Sequence, residues 1–187
     1  MKLSNRDNGS QVKNSLLCLY TNADQLKNKL LELESRISDK QPNVIGITEV
    51  KPKNSSNQVN PAEYTILSGN EYQMFSKNID NEVGRGLILY IHRSLQATEV
   101  KFNTEFQENL FVKVRLNASD EILIGLIYRS ESGSDYNNLK IYDLITESVD
   151  LKCSHYLVMG DFNYPRIDWS SWSIHSDNVE SSDFNII

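Results

Sequence analysis

Near the end of the chain, Gly160-Asp161-Phe162-Asn163 combines a carboxylate, an amide and the most permissive backbone residue directly after an apolar run, Tyr156-Leu157-Val158-Met159. A strand end is where a sheet protein presents polar groups to a ligand. On an extended backbone Asp161 and Asn163, two residues apart, point to the same side, so both reach one phosphate or one metal ion. Gly, Asp and Asn are also turn formers, and the tetrapeptide taken alone reads equally as a turn. Two further apolar runs end on polar groups: residues 16–20 lead into Thr21-Asn22, and residues 44–48 lead into Glu49. A hard cation such as Mg²⁺ takes one or two carboxylates with carbonyl oxygens and water, and keeps positions open for phosphate. Asn22, Glu49, and Asp161 with Asn163, delivered by three strand ends, make such a site. Glu49 by itself is simply the first solvated residue after a core strand. Tyr128-Arg129 closes another run, and a phenol beside a guanidinium suits phosphate because both donate hydrogen bonds to its oxygens. The plain alternative is a core Tyr followed by a surface Arg.

The remaining chemistry-bearing residues carry less. His92 begins a loop, His155 begins a strand and His175 lies in a Ser-rich stretch, all ordinary surface positions. Trp169 and Trp172 flank Ser170-Ser171 and anchor that loop on the domain, with base stacking as the other use.

Periodicity supplies the framework. Residues 16–20 read as a strand buried on both faces. Leu26, Leu30, Leu33 and Ile37 then recur at helical spacing, with Asp24 as the cap and an end before Pro42. Residues 44–49 form a second strand, so the opening is strand, helix, strand, the pattern of a right-handed crossover. Residues 51–61, rich in Lys, Asn, Ser and Pro, read as an exposed loop at the rim of a substrate groove. Consecutive strands follow at 64–67, 72–76, 86–92, 99–102, 110–116 and 122–128. Leu110, Val112, Val114 and Leu116 alternate with Phe111, Lys113 and Arg115, as on a half-buried antiparallel strand, and residues 117–120 form the hairpin loop after it. Ile141, Tyr142, Leu144, Ile145 and Val149 give residues 137–150 an apolar helical face, and 156–159 is the last strand.

With 187 residues, 39% of them hydrophobic and 9% aromatic, the chain makes one packed domain. A net charge of −6 excludes a general basic field, so any nucleic-acid binding needs a local cationic patch around a metal. Cys18 and Cys153 lie in apolar runs and read as buried thiols in a reducing compartment. Residues 1–14 are a polar, disordered leader with no apolar signal core, and no run approaches the ~18 apolar residues of a membrane span. The expectation is an intracellular protein, nuclear or cytoplasmic, not secreted and not in a membrane.

The motifs in this order resemble the endonuclease/exonuclease/phosphatase superfamily, and within it the endonuclease domain of non-LTR (LINE-like) retrotransposons. The matching phrases are Tyr20-Thr21-Asn22-Ala23, Ile47-Thr48-Glu49, Gly86-Leu87-Ile88-Leu89-Tyr90, Ile127-Tyr128-Arg129-Ser130 and Met159-Gly160-Asp161-Phe162-Asn163-Tyr164-Pro165. The resemblance implies a four-layer α/β/β/α sandwich with two packed, mainly antiparallel sheets. It also implies Mg²⁺- or Mn²⁺-dependent phosphodiester cleavage, with no small-molecule cofactor. Carried over, Glu49 is the principal metal ligand with Asn22 beside it, Asp161 activates or positions the attacking water, Asn163 orients the phosphate and Tyr128 contacts it. Arg129 is a further phosphate contact. The implied partner is DNA, with a reverse transcriptase domain downstream in a full-length relative.

Two departures bear on activity. One branch of relatives has an Asn three positions after the Tyr, where this chain has Glu131, with Asn137 or Asn138 as substitutes. The family also ends on a late Asp and a Ser-Asp-His segment, and nothing here matches it; His175-Ser176-Asp177 has those letters reversed and comes too soon. Residues 15–187 therefore read as a partial domain, incomplete at the C-terminus and lacking strands that finish the second sheet. An open sheet edge and exposed core surface would make such a chain marginally stable and poorly active. The competing functions are a phosphatase or phospholipase of the same fold and a non-catalytic relic. Inositol phosphatases of the family carry a Trp before the Gly-Asp pair where this chain has Val158-Met159, and Tyr164-Pro165-Arg166-Ile167-Asp168-Trp169 is similar to retroelements, which favours DNA.

Overall fold

The computed structural model describes residues 15–52, 71–79, 84–130, 135–164, 167–168, 170–171 and 173–174. The leader 1–14, most of the rim loop, the strand expected at 64–67, Glu131, Trp169, Trp172 and His175 lie outside these residues.

Strand β1 (Cys18–Asn22) and strand β2 (Val44–Thr48) are joined through a 3₁₀ turn (Leu26–Asn28) and helix α1 (Leu30–Lys40) and pair in parallel. Strands β3 (Tyr72–Lys77) and β4 (Leu87–His92) complete a four-stranded sheet in the order β1-β2-β4-β3. Strands β5 (Gln96–Val100), β6 (Asn109–Arg115) and β7 (Glu121–Tyr128) form an antiparallel meander. Helix α2 (Asp135–Asp150) then carries the chain back to β8 (His155–Asp161), which pairs parallel to β7 in the order β5-β6-β7-β8. A short ladder of β9 (Ile167–Asp168) and β10 (Ser173–Ile174) follows.

Three apolar clusters stack these elements into the expected α/β/β/α order. Leu33 and Ile37 of α1 pack on Ile45, Ile47, Ile88 and Tyr90 of the first sheet. The opposite face of that sheet meets the second through Leu87, Leu89, Val112, Ile124 and Leu126. Ile141 and Leu144 of α2 cover Phe111, Leu123 and Ile127 on the far side. Both sheets are mixed, with one parallel pair each and antiparallel pairing elsewhere.

Several local expectations change for physical reasons. β1 starts at Cys18, extends through Asn22 and is half-buried; among the described residues it lies at the edge of its sheet with one ladder partner. The helical stripe breaks at Lys29 into a 3₁₀ turn and α1; neither start has a side-chain cap, and Gln41 in a left-handed conformation ends α1 before Pro42. β5 begins three residues earlier than expected. β6 keeps the expected alternation from Val112 to Arg115, with Lys113 half-buried and Arg115 exposed, but α2 covers Phe111, which is as buried as Val112. On α2 the stripe is narrower than expected, with Tyr142 and Val149 exposed and Ser148 buried. Cys153 is buried, lies just before β8, and both cysteines are free thiols.

Gly46 sets the approach of the two sheets and Gly160 that of two paired strands. A Cβ on Gly46 would sit 2.7 Å from Met159 Sδ and 3.1 Å from Leu126 Cδ1, so β2 lies against β7 and β8 where a side chain would hold it off. Gly160 is stricter: its Cβ would lie 1.8 Å from the Ile127 carbonyl oxygen, a backbone atom of the paired strand. Gly160→Ala should therefore lower unfolding stability by about 2 kcal/mol or more. The check is a drop in the urea midpoint at unchanged slope. An unchanged midpoint would contradict this backbone packing.

Candidate active site

Parallel pairing brings strand C-termini to one edge. β1 ends at Asn22 opposite Thr48, and the pairing runs on, with Ala23 N–H donating to Thr48 O at 2.9 Å and Gln25 N–H to Glu49 O at 2.9 Å. In the second sheet Tyr128 is in register with Asp161, and Arg129 N–H donates to Asp161 O at 2.8 Å. Because the sheets stack face to face, these two edges meet.

Their meeting point is Asn22. Its Nδ2 donates to Glu49 Oε1 at 2.9 Å and to Asp161 Oδ2 at 2.8 Å, so one amide ties two carboxylates from different sheets. Asn22 Oδ1 is turned away and accepts Asp24 N–H at 3.0 Å. Two carboxylates held this close make a negative field, which is visible in the phenols around them. Burial first, then the Glu49 carboxylate and its hydrogen bond, push Tyr128 far above the ordinary tyrosine value. Tyr20 is also raised, mainly by burial, with Asp161 and Glu49 adding to it, while its hydroxyl meets Thr48 Oγ1 at 3.0 Å. Both phenols stay protonated and remain donors.

Asn163 joins by a different route from the one its spacing indicates. It lies beyond β8 with φ 46°, so it does not project beside Asp161 as alternate residues of a strand do. Its N–H donates to Asp161 Oδ1 at 3.2 Å and its Nδ2 donates to Arg129 O at 2.7 Å. Arg129 is 6% exposed, and its guanidinium is directed at the chain itself. Nε donates to Asn138 Oδ1 at 2.9 Å, Nη1 to Asn163 O at 2.8 Å, and the group stacks 4.4 Å from the Tyr164 ring centre. Tyr164 also donates to Asn138 Oδ1 at 3.1 Å. Arg129 and Asn138 thus brace the 161–164 turn, whereas Asn137 enters none of these bonds.

Arg85 is the member that sequence patterns do not reveal. It enters from the turn before β4 between two glycines, and nothing local marks it. Its Nη1 pairs with Glu49 Oε2 at 2.5 Å, Nη2 with Asp24 Oδ1 at 2.9 Å, and Nε donates to Lys51 O at 3.0 Å. Asp24, expected as a helix cap, serves this pair instead. The Arg85 N–H donates to Glu108 Oε1 at 2.9 Å. Burial raises the Glu108 carboxyl above its usual value despite that bond and the nearby Lys51 and Arg85 charges.

The donor set suits a hard cation with an open coordination sphere. Glu49 and Asp161 converge, and among the described residues no three Asp, Glu, His or Cys side chains form a closed cage. Mg²⁺ keeps several waters and is held through one or two carboxylates, so Glu49 and Asp161 are donors of a kind it takes. His92 and His155 stand apart from this edge, at the other ends of their strands' neighbours Tyr72 and Ile122.

The Endonuclease/Exonuclease/phosphatase family model matches residues 14–181. No curated protein sequence matches the chain. Among solved structures, the endonuclease domain of TRAS1, a telomere-specific non-LTR retrotransposon, is 13% identical, with a TM-score of 0.59 over 92% of this chain and 68% of that one. The AP endonuclease LMAP from Leishmania major is 16% identical, TM-score 0.56, over 77% and 54%. An AP endonuclease from Archaeoglobus fulgidus is 13% identical, TM-score 0.55, over 81% and 59%. The chain spans between 54% and 68% of the length of these structures. At such identities the likeness establishes the fold.

Glu108 yields a pH prediction. A carboxyl raised in the folded state favours folding below its unfolded value near 4.5 and loses that contribution as pH rises through the folded value. Glu108→Gln keeps an oxygen for the Arg85 N–H without the charge. Relative to the natural chain, the variant should gain stability as pH rises from below 4.5 to neutrality, read from urea midpoints. A stability gap that is flat or shrinks with pH would contradict the assigned burial cost.

Proposed function

Because this chain belongs to the Endonuclease/Exonuclease/phosphatase family, we propose that it is a divalent-cation-dependent phosphodiesterase of the endonuclease type, acting on DNA. The observation that carries this reading is the Asn22 amide holding Glu49 and Asp161 together across the two sheets. Glu49 would hold the cation, Mg²⁺ or Mn²⁺, with Asn22 aiming the carboxylates. Bound there, the cation supplies Lewis-acid polarisation of a phosphoryl oxygen.

The chain's own residues account for the rest of the proposed reaction. Asp161 orients the attacking water and accepts its proton, with Asn22 and the Asn163 N–H fixing its two oxygens. Tyr128, kept protonated by burial and by Glu49, donates to a phosphate oxygen as negative charge builds on it. Asn163 orients the phosphate, and Arg129 acts through it as a positioning residue. The preference for DNA over a phosphomonoester or a lipid rests on Val158-Met159 before the Gly-Asp pair and on the retroelement-like segment 164–169. An origin in a mobile element, with a reverse transcriptase in the full-length protein, belongs to the same proposal.

Purified chain incubated with supercoiled plasmid should nick it only with Mg²⁺ or Mn²⁺. Asp161→Ala should cut the rate by about 10²-fold or more, with an unchanged circular dichroism spectrum. Cation-independent nicking, or nicking that survives Asp161→Ala, would overturn the proposed mechanism.

A further inference from the structure

Glu49 has both carboxylate oxygens engaged. Oε1 accepts from Asn22, and Oε2 is paired with Arg85 Nη1. The ion pair is secluded, with side chains 16% and 13% exposed, so neither charge is well solvated by water. A buried carboxylate without a partner is costly, and here a guanidinium answers it. The same guanidinium is fixed at two other points, on Asp24 and on the Lys51 carbonyl, and the Arg85 backbone is tied to Lys51 N–H at 2.7 Å. Arg85 is therefore held at Glu49 by the turns after β1 and β2, rather than reaching it by chance from solvent.

We infer that Arg85 is the resident counter-ion of Glu49, and that a divalent cation engages Glu49 only by displacing Arg85 Nη1. This rests on the proposed cation dependence and adds to it a residue that sets cation affinity. A cation arriving at Glu49 meets the Arg85 charge and competes for an oxygen already in use. Arg85 thus weakens cation binding while stabilising the cation-free protein. Its contacts with Asp24 and Lys51 O do not involve Glu49 and survive the exchange, so the guanidinium has only to release one bond.

The test compares the natural chain with Arg85→Met and Arg85→Lys, using Mn²⁺ itself as probe. Calorimetric titration should give about tenfold tighter Mn²⁺ binding to Arg85→Met, the scale of a removed charge acting through a partly solvated medium. Arg85→Lys, which keeps the charge, should bind Mn²⁺ no tighter than the natural chain. In thermal melts Arg85→Met should be less stable without Mn²⁺ and gain roughly 3 °C more than the natural chain when Mn²⁺ is added. Equal or weaker Mn²⁺ binding by Arg85→Met overturns the counter-ion role and leaves the cation reading standing. No Mn²⁺ response in any of the three chains overturns both. Should Arg85→Met fail to fold, ¹⁵N spectra of the natural chain titrated with Mg²⁺ decide the matter. The Arg85 side-chain signals should shift as Mg²⁺ saturates, and signals that stay fixed overturn the inference.

Discussion

The side-chain amide of Asn22 donates to Glu49 and Asp161 at once, and the rest of the site depends on that pair of bonds. Among the described residues the two sheets share no backbone ladder, so the bonds that join their polar edge at Asn22 come from its side chain. Two carboxylates within 2.9 Å of one nitrogen repel each other unless the surroundings answer them. The amide answers both, Arg85 answers Glu49 with a full charge, and the Tyr128 hydroxyl adds a neutral donor. None of this is possible unless β1 pairs parallel with β2 and β7 with β8, because parallel pairing puts their C-termini on the same side. Gly46 then permits the close stacking that brings the two edges into one amide's reach.

Backbone strain gathers at the same edge. Asp24, Gln25, Glu49 and Asn163 all have positive φ, at 39°, 77°, 53° and 46°, a conformation that costs roughly 1–2 kcal/mol for a residue with a side chain. Each is held by hydrogen bonds already described or by the continued β1–β2 pairing, and the apolar core beneath supplies the stability that tolerates them. Glu49 and Asn163 are bent out of their strands at the residue whose side chain must leave the sheet plane. Fold and site thus pull in opposite directions at four neighbouring positions, which is the usual mark of a functional edge.

The apolar runs made most of the fold legible in the sequence, because strands buried on both faces and a helix crossing between parallel strands leave clear patterns. What failed was anything set by distant partners. The alternation in 110–116 holds at Lys113 and Arg115 but puts Phe111 on the wet face, since no local signal announces that α2 will cover it. Asp24 has the right type and place for a cap, yet a guanidinium 61 residues away claims it. Asn22, Glu49, Tyr128 and Asp161 were legible as strand-terminal polar residues. Asn163 was legible by type but not by geometry, since its φ of 46° removes it from the strand periodicity. Arg85 was invisible because an arginine between two glycines reads as an exposed turn, and only the tertiary fold delivers it to Glu49.

Diffraction from crystals soaked in Mn²⁺ decides whether Glu49 and Asp161 share one cation site spanning the two sheets. A shared site would give one anomalous peak at the common edge, about 2 Å from a Glu49 oxygen and next to the Asp161 carboxylate, with Arg85 Nη1 withdrawn. A peak bound elsewhere, or a saturating soak that leaves the Glu49–Arg85 pair intact and this edge without density, would contradict it.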